Sequence, residues 1–382
     1  MLHTVELRDF KCFTSLKLEL GNVTVLAGVN AAGKSTIIQA LVLLHQALAE
    51  GGTQGERRTA LPLAGPLVSV GSVREVINQS GGGRHFGIAL TANQVTLDWT
   101  FARGDDSRAL DAKVVELRWG PNAKASELLP PAATKACPAL VELLKTLKYV
   151  PADRVGPSEV YPLFEAARHR SLGARAERAV GVLHWQGRDL DVHEPLRHPD
   201  PTIVPKLLEQ TQAYLRDLFP QASIEVSDVR GANLVTLGVR TRDDQSFHRP
   251  PNVGFGITYT LPIVVALLSA GPGGLVVIEN PEAHLHPRAQ VQLARLVARY
   301  TASGGQVLLE THSDHIVNAL RVAVSKHTIE PNQIALYWLE PDRDSGAILP
   351  RQIQIDPRGR LSERPEGFFD EIERQLGKLY DV

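Results

Sequence analysis

The chain of 382 residues carries 41 Lys and Arg against 42 Asp and Glu, a formal net charge of −1, which excludes a globally basic surface and leaves only a local patch for contact with DNA or RNA. Hydrophobic residues make up 43% and charged residues 22%, the composition of an ordinary globular protein with a large core. Two distant cysteines, Cys12 and Cys137, exclude a disulfide framework and point to a reducing compartment. Charges stand where a signal peptide would have its apolar core, and the longest apolar run, 260–270, is too short to span a bilayer. The expectation is a cytoplasmic protein without membrane contact.

Residues 2–9 and 16–20 alternate apolar and polar and read as a hairpin. It leads into a short apolar strand at 22–27. A glycine-rich segment, 28–36, follows, and then a helix that ends near Gly51 and Gly52. Residues 51–82 read as a surface excursion with a short helix, and 84–118 as two or three antiparallel strands. A helix is expected at 138–147, mostly helices over 158–220, and two strands over 222–240. The C-terminal third is more strongly patterned. Residues 275–278 form a continuous apolar run, as in a parallel strand buried on both faces. A helix at 287–303, a second buried strand at 306–310 and a helix at 315–324 complete βαβ units, hence a parallel sheet. Strands at 333–340 and 347–355 flank a turn at 341–346. The chain has no internal repeat, heptad run or low-complexity tract.

Residues 28–36, GVNAAGKST, fit the pattern G-x-x-x-x-G-K-[ST] in the required strand–loop–helix context. Glycines let backbone N–H groups turn inward around a polyphosphate, and the helix N-terminus adds partial positive charge. Gly28, Asn30, Ala31, Ala32, Gly33, Lys34, Ser35 and Thr36 are the expected cradle for ATP. Lys34 should reach the β/γ-phosphates and Ser35 should hold Mg²⁺. An acidic group is needed at the tip of a neighbouring strand. Glu279 is the first candidate and Glu282 the second, both in LVVIENPEAHLHP, 275–287. One strand later Glu310-Thr311-His312-Ser313 places a polar cluster where His312 can bond the γ-phosphate. Asn252-Val253-Gly254-Phe255-Gly256-Ile257-Thr258 is a second glycine turn at a helix N-terminus, with Gly254, Gly256 and Thr258 as candidate anion-binding residues.

In this order the motifs resemble the ABC-class, AAA-like ATPases related to SMC, RecF and the OLD-type proteins. The tail 359–376 resembles a small C-terminal domain of unassigned function seen on some bacterial members. The resemblance covers about 1–50, 149–161 and 250–376. It implies an α/β fold: an ABC-type head with a mixed N-terminal sheet, a parallel core sheet and a helical insertion. The expected division is an N-terminal lobe, 1–120; an insertion, 121–245; a C-terminal lobe, 246–332; and a small hairpin-plus-helix unit, 333–382. It also implies two heads closing on ATP, with the turn Gly254-Phe255-Gly256-Ile257-Thr258 acting on the partner's nucleotide and His312 as the switch histidine. Asp153 and Arg154 fall where the family has a linker motif.

One departure stands out. The acidic strand of ABC ATPases ends Asp-Glu, and this one ends Glu279-Asn280. Asn accepts no proton at neutral pH, so Glu279 is left for the metal, while Glu282 is the candidate base and Asn280 alternatively orients water. Slow hydrolysis follows as a real alternative. Two functions stay open: an ATPase that dimerises around ATP in a DNA-linked process, with anti-phage defence beside a separate effector implied by resemblance only, or a weakly hydrolysing scaffold that holds a nuclease or toxin inactive. A zinc site from His284, His286, His312, Glu282 and Glu310 explains the pattern less well than the nucleotide reading. Asp342-Arg343-Asp344 reads as a hairpin turn rather than a nuclease motif. Arg168, His169, Arg170, Arg175 and Arg178 form a basic stretch that is either a solvated face or a nucleic-acid contact. Phe368 and Phe369 are read as an anchor for the C-terminal helix.

Overall fold

The computed structural model describes residues 1–49, 58–80, 82–104, 106, 108–164, 171–342, 345–365, 367, 368 and 378. In chain order the first elements are β1 (Thr4–Phe10), β2 (Phe13–Glu19), β3 (Val23–Gly28), α1 (Lys34–Ala49), β4 (Ala60–Pro62) and α2 (Val73–Val76). Next come β5 (His85–Ala92), β6 (Val95–Ala102), β7 (Asp111–Arg118), β8 (Lys124–Ala125), α3 (Pro131–Ala136), α4 (Pro138–Thr146), β9 (Lys148–Val150), β10 (Tyr161–Pro162), α5 (Ala179–Gln186) and α6 (Leu207–Leu218). The chain continues with β11 (Ser223–Asp228), β12 (Leu234–Arg240), α7 (Phe255–Ala270), β13 (Leu275–Glu279), α8 (Pro287–Ala302), β14 (Gln306–Glu310), α9 (Asp314–Ser325), β15 (Ile334–Leu339) and β16 (Arg351–Ile353).

The core sheet has the order β16-β15-β3-β14-β13-β9 and is parallel except at the β15–β16 edge. An antiparallel sheet, β2-β1-β5-β6-β7-β4 with β8 on β7, packs over α1. A small sheet, β10-β12-β11, lies to the side of the helices. Period-2 alternation divides the core sheet between two hydrophobic clusters. Val276, Ile278, Val307 and Leu309 face the cluster built by α5 to α9. Leu275, Val277 and Leu308 face the cluster built by α1 and the antiparallel sheet. Both faces are covered, which is why these strands read as unbroken apolar runs. Helix α1 lies between two sheets and is buried almost all round.

Two corrections concern the expected units. β9 lies within 121–245 yet is the edge of the core sheet, parallel to β13. β15 lies within 333–382 yet is a central strand, paired with β3 over six residues. Its sequence, IALYWL, is buried at every position, so it needs cover on both faces and cannot stand in a separate unit. Residues 158–220 are also less helical than expected. Pro195, Pro199, Pro201 and Pro205 remove donors and clash with helical turns, and among the described residues of this stretch only α5 and α6 are regular α-helices. At the expected turn, 341–346, Pro341 and Ile348 form an antiparallel bridge and Gly346 N–H donates to the Asp342 carbonyl at 2.9 Å; Arg343 and Asp344 lie outside the described residues. Phe368 packs on Trp338, ring centroids 5.0 Å apart, while Phe369 and most of the expected C-terminal helix lie outside the described residues.

Candidate functional site

Strand β3 ends at Gly28, φ 143°, where a Cβ would stand 2.0 Å from the Leu339 carbonyl oxygen of β15. Only glycine allows that approach. The next amide, Val29 N–H, donates to the same carbonyl at 3.2 Å. Ala31 (φ 61°) and Gly33 (φ 77°) are left-handed, and this alternation turns loop amides toward one centre. A Cβ on Gly33 would meet Cys12 Sγ and Phe13 Cζ at 2.7 Å, so the loop is pressed against the β1–β2 hairpin. Helix α1 starts at Lys34 with no acidic residue in its first turn. Lys34 is buried, and its Nζ donates to the carbonyls of Gly28 at 3.2 Å and Val29 at 2.8 Å. Burial lowers its pKa.

The loop opens on a cleft of about 610 Å³. Asn30, Ala31, Ala32, Gly33, Lys34, Ser35 and Thr36 line one wall; Lys11, Cys12, Glu310 and His312 line the rest with a few neighbours. The strand-tip carboxylates are distributed differently from expectation. Glu279 is buried and set back. It accepts from Ala152 N–H at 3.1 Å and from the Tyr149 hydroxyl at 3.3 Å, and burial raises its pKa. Glu282 is clamped to the next strand, accepting from Thr311 Oγ1 at 2.8 Å and His312 N–H at 2.7 Å. Neither lines the cleft. Glu310 does, and it accepts from Ser35 Oγ with both oxygens, at 2.9 and 3.1 Å. Burial and, next, the charge of Glu279 push its pKa up to about 7. The parallel register explains the exchange. Glu279 and Glu310 are paired residues at the same height, but β14 rather than β13 is the neighbour of β3. Glu310 was thus legible as the last residue of a buried apolar strand, but the strand order was not. His312 lines the cleft, with its pKa lowered by burial and, next, by Lys34.

Arg154 ties the back of the site together. It is fully buried and donates to the carbonyls of Pro151 at 2.9 Å and of Glu279 and Asn280 at 2.8 Å. Burial lowers its pKa to about 10, so it stays charged. Its guanidinium lies 5.2 Å from the Tyr259 ring, Tyr259 meets His284 edge-on at 4.6 Å, and His284 stacks on Phe255 at 5.0 Å. A chain of contacts therefore runs from the strand tips to the second glycine turn. Gly254 (φ 95°) is open on its Cβ side, whereas Gly256 packs against Phe219 and the His284 carbonyl. Thr258 corrects an expectation: it is buried and its hydroxyl donates to the Phe255 carbonyl at 3.0 Å, satisfied inside its own helix. Asn280 takes φ 43° and its buried Oδ1 has no hydrogen-bond partner.

His284 and His286 serve structural ends. His284 stacks on the aromatic rings, and His286 caps α8 by accepting from Arg288 N–H at 3.3 Å. Among the described residues no group of three or more His, Cys, Asp or Glu is arranged to hold a metal by itself. Arg175 pairs with Asp153 at 3.0 Å, and Arg178 lies 4.1 Å over the Phe164 ring; Arg168, His169 and Arg170 lie outside the described residues. Both cysteines are free thiols. No described helix is long and apolar enough to cross a membrane.

Residues 162–318 match the family model described as AAA domain, putative AbiEii toxin, Type IV TA system. Residues 329–379 match that of a protein of unknown function (DUF3696). The chain is similar in structure to an Smc head bound to the C-winged helix domain of ScpA, with 14% identity and a TM-score of 0.53 over 93% of this chain and 98% of that one. It is also similar to an Smc head domain with an extended coiled coil bound to the C-terminal domain of ScpA derived from Pyrococcus furiosus, with 11% identity and a TM-score of 0.51 over 100% of this chain and 98% of that one. No curated protein matches the sequence. In fold the chain is similar to these SMC head domains.

Proposed function

We propose that the protein binds ATP with Mg²⁺ in this cleft, dimerises around the nucleotide, hydrolyses it, and drives a conformational change in a DNA-linked process, in anti-phage defence beside a separate effector. The observation that carries the reading is the phosphate loop. Its left-handed turns, the N-terminus of α1 and Lys34 converge on one cleft whose far wall is Glu310 and His312. The loop amides and Lys34 hold the β/γ-phosphates and His312 approaches the γ-phosphate. The exposed Gly254–Phe255 turn closes the nucleotide of a second copy. The toxin named in the matched family description and the ScpA domains bound to the similar heads support a setting with a separate partner. The protein works in the cytoplasm.

Light scattering and phosphate release with and without ATP·Mg²⁺, on wild type, Lys34→Ala and Glu282→Gln, test the reading. A dimer that forms with ATP together with phosphate release, both lost in Lys34→Ala, supports it. A wild type that neither changes state nor releases phosphate refutes it.

Asn280 favours a second reading. With Asn in place of the usual base, and Glu282 engaged by Thr311 and His312, the protein binds ATP, turns it over slowly, and holds a nuclease or toxin inactive. Nucleotide-dependent dimerisation without measurable release identifies this case.

A further inference from the structure

We infer that Glu310, at the tip of β14, is the carboxylate that holds the metal beside Ser35, the place that the motif order assigns to Glu279. The inference rests on the nucleotide reading above and concerns the metal that accompanies the nucleotide.

The first argument is position. Of the strand-tip carboxylates Glu279, Glu282 and Glu310, only Glu310 lines the cleft together with Lys34 and Ser35. Adjacent strands stand about 4.8 Å apart. Glu279 and Glu310 are paired in register, so the move from β13 to β14 brings a carboxylate one strand nearer the phosphate loop at unchanged height.

The second argument is spacing. Mg²⁺ takes six oxygens at about 2.0–2.1 Å in near-octahedral geometry, so neighbouring ligand oxygens stand about 2.9 Å apart. Ser35 Oγ lies 2.9 and 3.1 Å from the two Glu310 oxygens. The serine and the carboxylate already stand at the separation of adjacent ligands.

The third argument is donor economy. Mg²⁺ is usually held by one or two carboxylates, substrate phosphates and water rather than by an all-protein cage. One carboxylate and one hydroxyl fit that pattern, and so does the lack of a larger donor cluster among the described residues. Glu279 has its oxygens on Ala152 N–H and the Tyr149 hydroxyl, and Glu282 has both of its oxygens on the switch segment. Glu279 is therefore a positioning residue: it anchors the segment after β9 and adds negative charge behind Glu310.

The test is binding of a fluorescent ATP analogue to the full chain in Mg²⁺ and in EDTA, for wild type, Glu310→Gln, Glu279→Gln and Glu310→Asp. Electron paramagnetic resonance of Mn²⁺ added with ATP reads the metal directly, and thermal unfolding reports whether each variant folds. Wild type should gain affinity with Mg²⁺. Glu310→Gln should lose about tenfold or more of that gain and keep its affinity in EDTA, while Glu279→Gln should retain the gain. Glu310→Asp, which keeps the charge but withdraws it by one methylene, should lose part of the gain, and decides the matter if Glu310→Gln does not fold. A gain retained in Glu310→Gln, or lost equally in Glu279→Gln, overturns the assignment. Binding that is tight but indifferent to Mg²⁺ overturns the metal role alone, and no binding in either condition overturns the nucleotide reading as well.

Discussion

Replacing Glu310 by Gln should make the metal-free protein more stable at pH 8 and leave it nearly unchanged at pH 5. Glu310 is 6% exposed, and burial together with the charge of Glu279 raises its pKa from 4.5 to about 7. Between those values the folded state holds a proton that the unfolded chain has released. Stability therefore falls as pH rises from about 4.5 to about 7 and stays lowered above. At about 1.4 kcal/mol per pH unit, the rise corresponds to roughly 3 kcal/mol of lost stability at pH 8. Gln has nearly the same shape, keeps an acceptor for Ser35 Oγ and carries no charge. The variant should recover on the order of 1–3 kcal/mol at pH 8, since the weaker neutral hydrogen bond to Ser35 offsets part of the gain. Urea unfolding in EDTA at pH 5 and pH 8 measures this. If both proteins show the same pH slope, or if the variant is the less stable at pH 8, then Glu310 does not carry the buried charge described here. A stabilising substitution at a wall of the cleft is what a strained functional position predicts.

Two further substitutions probe the frame of the site. Gly28→Ala places a Cβ 2.0 Å from the Leu339 carbonyl at φ 143°, so it should cost about 2 kcal/mol or more and abolish nucleotide binding; an unchanged urea midpoint would show that β15 does not press on the loop. Arg154→Met removes three hydrogen bonds from a fully buried guanidinium and should cost about 3–5 kcal/mol. Asp153→Ala, one residue away in an exposed pair with Arg175, should change stability by less than about 0.5 kcal/mol; equal effects would mean that the segment after β9 is held by something other than Arg154.

Much of the site was legible because its signals are local. The glycine-rich loop 28–36 is a run of consecutive residues whose left-handed turns include Ala31 as well as Gly33, and its flanking strand and helix are set by short-range apolar patterning. The same holds for β13, β14 and the helices after them, whose apolar runs state that both faces are covered. His312 follows from its place at the tip of such a strand. The tertiary structure alone decided the order of the strands and hence the placement of the carboxylates. A parallel sheet joins strands distant in the chain, so nothing in 275–310 states that β14 lies next to β3 while β13 does not. That order brings Glu310 to Ser35 and sets Glu279 behind it. It also inserts β9 and β15 into a core sheet from segments that composition marks as separate units, and it buries Thr258 on the inner side of α7. Residue type and local conformation are written along the chain, whereas which carboxylate meets Ser35 depends on packing between segments that are far apart in sequence.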